Sequence, residues 1–130
     1  MDDAAVERLE EVLIASWPAA ELERRGGWVL AANDGVTGRA NSVSALGPPE
    51  GSLDAAVDMV EAWYRSRGLP AMYRLTPLTG DALASSLVAR GYGPRPEPTD
   101  VLVTTLTTLT DLPTAAGSVA VSDGPPPGWF

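Results

Sequence analysis

Cysteine, histidine and lysine are all missing from this chain. Without cysteine there is no disulfide, thiol nucleophile or thiolate ligand. Without histidine there is no imidazole acid–base chemistry, no Ser-His-Asp triad and no Cys/His zinc site. The lack of lysine excludes Schiff-base catalysis and a Walker-type phosphate loop. All nine basic residues are arginines, set against 17 acidic ones, for a net charge of -8. Such a chain repels phosphate backbones, so nucleic acid is not an expected partner. No apolar run approaches the ~18 residues of a membrane span, and the acidic first residues are the opposite of a secretory leader's basic start. No membrane partner and a cytoplasmic location are the default expectations. The residues left for chemistry are carboxylates, hydroxyls, tyrosines and backbone amides. With 130 residues, 45% of them apolar, the chain has the size of one ordinary domain with at most a short appendage.

Along the chain, Val6, Leu9, Leu13 and Trp17 recur at spacings of three and four and predict a helix over Asp2 to about Ser16, stopped by Pro18. A short helical or looped stretch is expected through Glu21 and Arg25, ended by Gly26-Gly27. Trp28 to Ala32 then predicts a strand, Asp34-Gly35 a tight turn, and Thr37 to Leu46 the returning strand of a hairpin. After the breaker cluster Leu46 to Gly51, Ser52 is placed to cap a helix with the stripe Leu53, Ala56, Val57, Val60, Trp63 and Tyr64, closed by Gly68. Pro70 to Thr76 predicts a strand, and Thr79 begins a short helix with Ala82, Leu83 and Leu87 before Gly91. Pro94 to Pro98 reads as a stiff connector, and Val101 to Leu109, rich in Val and Thr, as a further strand. Pro113 to Gly117 has linker character and Ser118 to Ser122 that of one more strand, before the terminal Trp129-Phe130.

The order helix, hairpin, helix after a Gly/Pro loop, strand, short helix ending Arg-Gly-Tyr, strand resembles the GNAT family of acyl-coenzyme A-dependent N-acetyltransferases. Gly26-Gly27-Trp28-Val29-Leu30, Arg39-Ala40-Asn41-Ser42-Val43 and Leu46-Gly47, preceded by Trp17-Pro18-Ala19, resemble the amino-terminal half of tandem two-domain members. The resemblance implies an α+β, GNAT-like fold with a mainly antiparallel twisted sheet flanked by helices. It further implies a GNAT-like domain over 1–112, with 113–130 as a linker and the first strand of a following domain. It also implies acetyl-coenzyme A as the family's cofactor and a small amine or peptide as acceptor.

The family's acyl-coenzyme A loop has Gln or Arg, two residues, Gly, one residue, and Gly or Ala before a helix whose free N–H groups face the pyrophosphate. Here the corresponding run is Pro48, Pro49, Glu50, Gly51, Ser52 and Leu53. The two prolines have no amide hydrogen, Glu50 brings a negative charge, and Leu53 stands where a small residue is needed. Many members carry a tyrosine as general acid four residues before the glycine of a Gly-Phe pair. This chain has Gly91-Tyr92 as the pair and Leu87 in the tyrosine's place. No catalytic residue is therefore assigned, and the chain by itself is expected to be inactive and not to bind acetyl-coenzyme A.

Candidate substrate-lining residues are Arg39, Asn41 and Ser42, with Arg39 suited to hold a carboxylate, and Arg74 and Tyr73 on the later strand. The alternative for Arg39 and Asn41, two apart, is the solvent face of a half-buried strand. Tyr64, Trp28 and Trp17 read as packing residues. Asp54, Asp58 and Glu61 share a helix face that reads as solvated surface, and no metal site is expected. Two functions are open. One is a non-catalytic half that shapes the substrate cleft or interface while a C-terminal GNAT partner domain transfers acetyl to an amine. The other is a stand-alone dimerising or ligand-binding module, a homodimer with the same fold but no transfer chemistry.

Overall fold

The computed structural model describes residues 1–95, 101–110, 117, 123 and 124. It divides into two units, Met1–Pro94 and Arg95–Phe130. The first begins with α1 (Asp3–Ser16), where the Asp2 carboxylate accepts from the Ala5 amide at 2.7 Å. There follow β1 (Glu21–Arg25), β2 (Trp28–Ala32), a 3-10 turn (Arg39–Asn41), β3 (Val43–Ala45), α2 (Leu53–Arg65), β4 (Tyr73–Arg74) and α3 (Asp81–Ala89). The fold is α+β, with one four-stranded sheet in the order β1-β2-β3-β4. β1 and β3 flank β2 antiparallel, and β4 joins β3 in parallel, Val43 opposite Tyr73 and Ser44 opposite Arg74.

Strand alternation divides the side chains between two faces. Trp28, Leu30, Val43 and Ala45 form the main core with Val57, Val60 and Tyr64 of α2 and Leu83 and Leu87 of α3. Val29, Ala31 and Ser44 lie on the opposite face with α1, which is tied to the sheet by Arg24–Glu11 at 2.7 Å and by Arg74–Glu10. Because both faces are covered, all five residues of β2 are buried, which is why that run is continuously apolar. The Tyr64 hydroxyl, buried, donates to the Ala31 carbonyl at 2.7 Å and accepts from the Ala31 amide at 3.3 Å. This is where the β2–β3 register ends with Leu30 opposite Val43, and the Ala31 amide is shared between Tyr64 and Ser42 O, which is also at 3.3 Å.

The predicted helices at Asp2, Ser52 and Thr79 are present, the last beginning at Asp81. The helices α2 and α3 both close with paired bonds of one pattern: Leu69 N to Tyr64 O with Gly68 N to Arg65 O, and Tyr92 N to Leu87 O with Gly91 N to Val88 O, all at 3.0 Å. The Asp34-Gly35 turn is present, with φ of 50° and 76° and Val36 N donating to Asn33 O at 2.9 Å.

Four segments differ from expectation. Of Pro70 to Thr76 only Tyr73–Arg74 is strand, the two residues that pair with Val43 and Ser44 of β3. Glu21–Arg25 is a strand, because its charges alternate into ion pairs on both sides of an exposed sheet edge. Thr37 to Ser42 is a turn and not a strand, because the Asn41 side chain folds that segment around itself; only Val43–Ala45 pairs with β2. In the second unit Val101–Thr105 lies in neither helix nor strand, and Leu106–Thr110 is the helix α4, where the Thr105 hydroxyl accepts from Thr108 N at 3.2 Å. The expected strand Ser118 to Ser122, most of the Pro113 to Gly117 linker and Trp129-Phe130 lie outside the described residues. Among the described residues no helix is long and apolar enough to cross a membrane.

Candidate functional site

The loop before α2 is built against the β1–β2 hairpin. Gly27 N donates to Pro48 O at 2.8 Å and Leu46 N to Gly27 O at 2.9 Å. The contact is so close that a Cβ on Gly27 would stand 2.6 Å from Gly47 backbone atoms, and one on Gly26 would stand 2.7 Å from Glu50 N. The Gly26-Gly27-Trp28 and Leu46-Gly47 elements are thus one contact, seen from its two sides.

Beside this loop lies an open pocket of about 340 Å³ between the N-terminal ends of α2 and α3. Trp28, Pro48, Pro49, Leu53, Leu78 and Leu83 supply its apolar walls. Its hydroxyl, from Thr79, already accepts from Thr76 N at 2.9 Å and donates to Ala45 O at 3.4 Å. An acyl-coenzyme A would bring a pyrophosphate to this place, and the residues do not fit it. Pro48 and Pro49 have no N–H, the carbonyl of Pro48 is bound to Gly27, and the nitrogen of Glu50 lies against Gly26. The Ser52 oxygen accepts from Ala55 N at 3.3 Å, the ordinary cap of a helix start, and its O–H is the one side-chain donor of the loop. Arg90 is the cation near this end of α2, and it is held by Asp54 at 3.3 Å, Asp58 at 2.6 Å and Glu61 at 3.8 Å. One positive charge among three negative ones leaves the surroundings of the helix start acidic, so a phosphate is repelled where it needs donors.

Leu87, in the place of the family's phenol, is 5% exposed and belongs to the core. The tyrosines lie elsewhere. Tyr73 packs edge-on between Trp28 at 6.0 Å and Tyr92 at 5.4 Å. Its buried hydroxyl has no hydrogen-bond partner among the described residues. Burial, with Tyr92 and Glu61 nearby, raises its pKa far above that of an ordinary phenol. The Tyr92 hydroxyl donates to Glu61 at 3.2 Å, and burial and that carboxylate raise it too. Tyr64 is pushed up to about 12 by burial, partly offset by its bond to Ala31.

The five candidate substrate residues do not converge. Arg39 and Arg74 line a common crevice under α1, while Tyr73 is in the aromatic row on the other face. Asn41 is 1% exposed and its amide is fully engaged. Its Oδ1 accepts from Asn33 N at 2.8 Å and Gly35 N at 3.0 Å, and its Nδ2 donates to Val36 O at 2.8 Å and Thr37 O at 2.7 Å. The Ser42 hydroxyl donates back to Arg39 O at 3.4 Å. Glu10, on α1, pairs with Arg74 through both carboxylate oxygens, one at 3.1 Å, and was not singled out from the sequence. Its signal was there: the run Val6, Glu10, Leu13, Trp17 has helical spacing, so Glu10 is a charge on the apolar stripe. Among the described residues no acidic group could hold a metal ion, and the row Asp54, Asp58, Glu61 serves Arg90.

Against known proteins, residues 3–130 match the family described as "Probable histone acetyltransferase Rv0428c C-terminal". The chain is also 38% identical over 93 residues to the "Uncharacterized N-acetyltransferase YobR" of Bacillus subtilis (strain 168). That alignment takes in 71% of this chain and 36% of the relative, so the chain spans little more than a third of the relative's length. No solved structure matches.

Proposed function

The chain belongs to this acetyltransferase family, of GNAT type, and from that premise we propose that it is a non-catalytic GNAT-like unit. In this reading it shapes the acceptor side, or the interface, of an acetyltransferase whose acetyl-coenzyme A is held by a second unit. The acceptor is an amine, a small molecule or a basic peptide, drawn by the chain's net charge of -8.

The observation that carries the reading is the acidic, donor-poor start of α2, where Pro48 and Pro49 replace amide donors and Arg90 is saturated by Asp54, Asp58 and Glu61. The absence of a phenol at the Leu87 position supports it, since nothing there would reprotonate a departing thiolate. The experiment is an acetyl-transfer assay with a thiol readout and a basic peptide acceptor. The isolated chain is expected to release coenzyme A no faster than buffer, while a protein that joins it to a second GNAT unit turns over. Release by the isolated chain overturns the proposal.

A second reading, a stand-alone ligand-binding module, is favoured by the crevice under α1, which Arg39, Ser44 and Arg74 line together.

A further inference from the structure

On the sheet face covered by α1, the last turn of the helix meets β1–β3 in a narrow crevice that Arg39, Ser44 and Arg74 reach. We propose that this crevice binds the carboxylate of a small molecule with an apolar body. The inference rests on the crevice itself and stands whether or not the chain takes part in acyl transfer.

Three polar groups define it. The Arg39 side chain has no hydrogen bond or ion pair among the described residues, in a chain where acids outnumber bases 17 to 9. Its backbone is fixed, because it opens the 3-10 turn that Asn41 locks with its amide. The Arg74 guanidinium is oriented by both oxygens of Glu10, which is itself 6% exposed. The Ser44 hydroxyl is in a residue only 6% exposed, lines the crevice and has no hydrogen-bond partner among the described residues. Tyr73 carries the one buried side-chain oxygen left without a partner among the described residues, so the Ser44 oxygen opens into the crevice, where a ligand can reach it.

The charges set the valence. Glu10 already matches Arg74, so one guanidinium, Arg39, is left uncompensated. One net positive charge with one hydroxyl donor suits a monoanion, and a planar fork suits a carboxylate; a phosphate dianion would leave a charge unmatched. The crevice offers about 20 Å³, room for one oxygen of the carboxylate, with the rest of the head group at the opening. The body of the ligand then lies on the apolar ledge at the mouth, where Trp17 is 52% and Leu22 is 49% exposed. Arg39 also stands near the C-terminal end of α1, whose partial negative charge a guanidinium offsets, so a purely structural role must be separable in the test.

The experiment is a titration of the ¹⁵N-labelled chain followed by NMR, with 3-phenylpropanoate, its neutral amide 3-phenylpropanamide, and inorganic phosphate. The carboxylate is expected to give saturable shifts at the Ser44 amide and the Trp17 indole, with the amide binding roughly tenfold more weakly, the size of one charge-assisted hydrogen bond. Arg39→Gln should lose about tenfold in affinity and Ser44→Ala about threefold, with the spectra otherwise those of the folded chain. The proposal is overturned by equal shifts with acid and amide, by tighter binding of phosphate, or by no saturation below about 10 mM carboxylate. It is also overturned if Arg39→Gln lowers the melting temperature but leaves the affinity unchanged, the mark of a helix-end role.

Discussion

The amide of Gly27 donates to the carbonyl of Pro48 across 2.8 Å. The residues on both sides of that bond decide what the loop before α2 can do. A phosphate loop turns its N–H groups outward at the start of a helix. Here Pro48 and Pro49 bring no N–H, Pro48 offers a carbonyl to the hairpin, and the Glu50 nitrogen is covered by Gly26. The loop is a clamp for the β1–β2 turn.

That clamp makes the two glycines unequal. Gly27→Ala places a methyl 2.6 Å from Gly47 backbone, which forces the chains apart, whereas Gly47→Ala meets Gly27 Cα at an ordinary 3.7 Å. Urea unfolding should show a loss of about 2–3 kcal/mol for Gly27→Ala and less than about 1 kcal/mol for Gly47→Ala. Equal costs would contradict the close approach.

Asn41 holds four backbone groups, so Asn41→Ala should destabilise by about 2–3 kcal/mol in the same measurement. Asn41→Asp keeps the acceptor for Asn33 and Gly35 but turns a carboxylate oxygen toward the Val36 and Thr37 carbonyls, and should cost at least as much as Asn41→Ala. An unchanged midpoint for Asn41→Ala would remove the bracket from the account.

The Arg74–Glu10 pair is mostly buried, with Glu10's side chain 8% and Arg74's 25% exposed. Deleting one partner strands the other's charge, and deleting both does not. Glu10→Leu alone should therefore cost about 2–4 kcal/mol, and the double variant Glu10→Leu, Arg74→Met distinctly less than that single one. A double variant worse than the sum of the singles would contradict this.

Tyr64, Tyr73 and Tyr92 are the chain's three tyrosines, and burial raises all of them. A phenol whose pKa is higher in the folded chain than the unfolded value of about 10 contributes stability that is complete below about pH 10. With Tyr64 pushed up to about 12, that contribution is lost as the pH rises from about 10 to 12. Tyrosinate absorbance near 295 nm should thus stay low at about pH 10 and rise together with loss of circular dichroism. Three phenols titrating near 10 in a folded chain would be the contrary result.

Much of the frame is legible in the sequence, and the misses have causes. The α2 stripe and its Ser52 cap are local features, and the helix follows them; Val57, Val60 and Tyr64 are all fully buried. Glu21–Arg25 is hidden as a strand because its pattern is one of charge. Glu21 and Glu23 face α2, bonding Arg67 at 2.7 Å and Trp63 at 2.6 Å, while Arg24 faces α1. The segment from Thr37 looks extended until Asn41 is seen to fold it, a choice made by one side chain and not by propensity. Val101 to Val103 have strand residues but are exposed, and β propensity expresses a fit to a pleated, half-buried surface. For the site, the missing donors at Pro48 and Pro49 can be read directly. The saturation of Arg90 cannot, because Asp54 and Asp58 come to it across the packing of α2 on α3, more than thirty positions away.

The central claim, that this unit does not hold the acyl donor, is tested most directly by isothermal titration of acetyl-coenzyme A into the isolated chain at low salt. The account predicts no saturable heat up to about 1 mM ligand. Stoichiometric binding in the micromolar range, weakened by substitutions in Pro48 to Leu53, would contradict it.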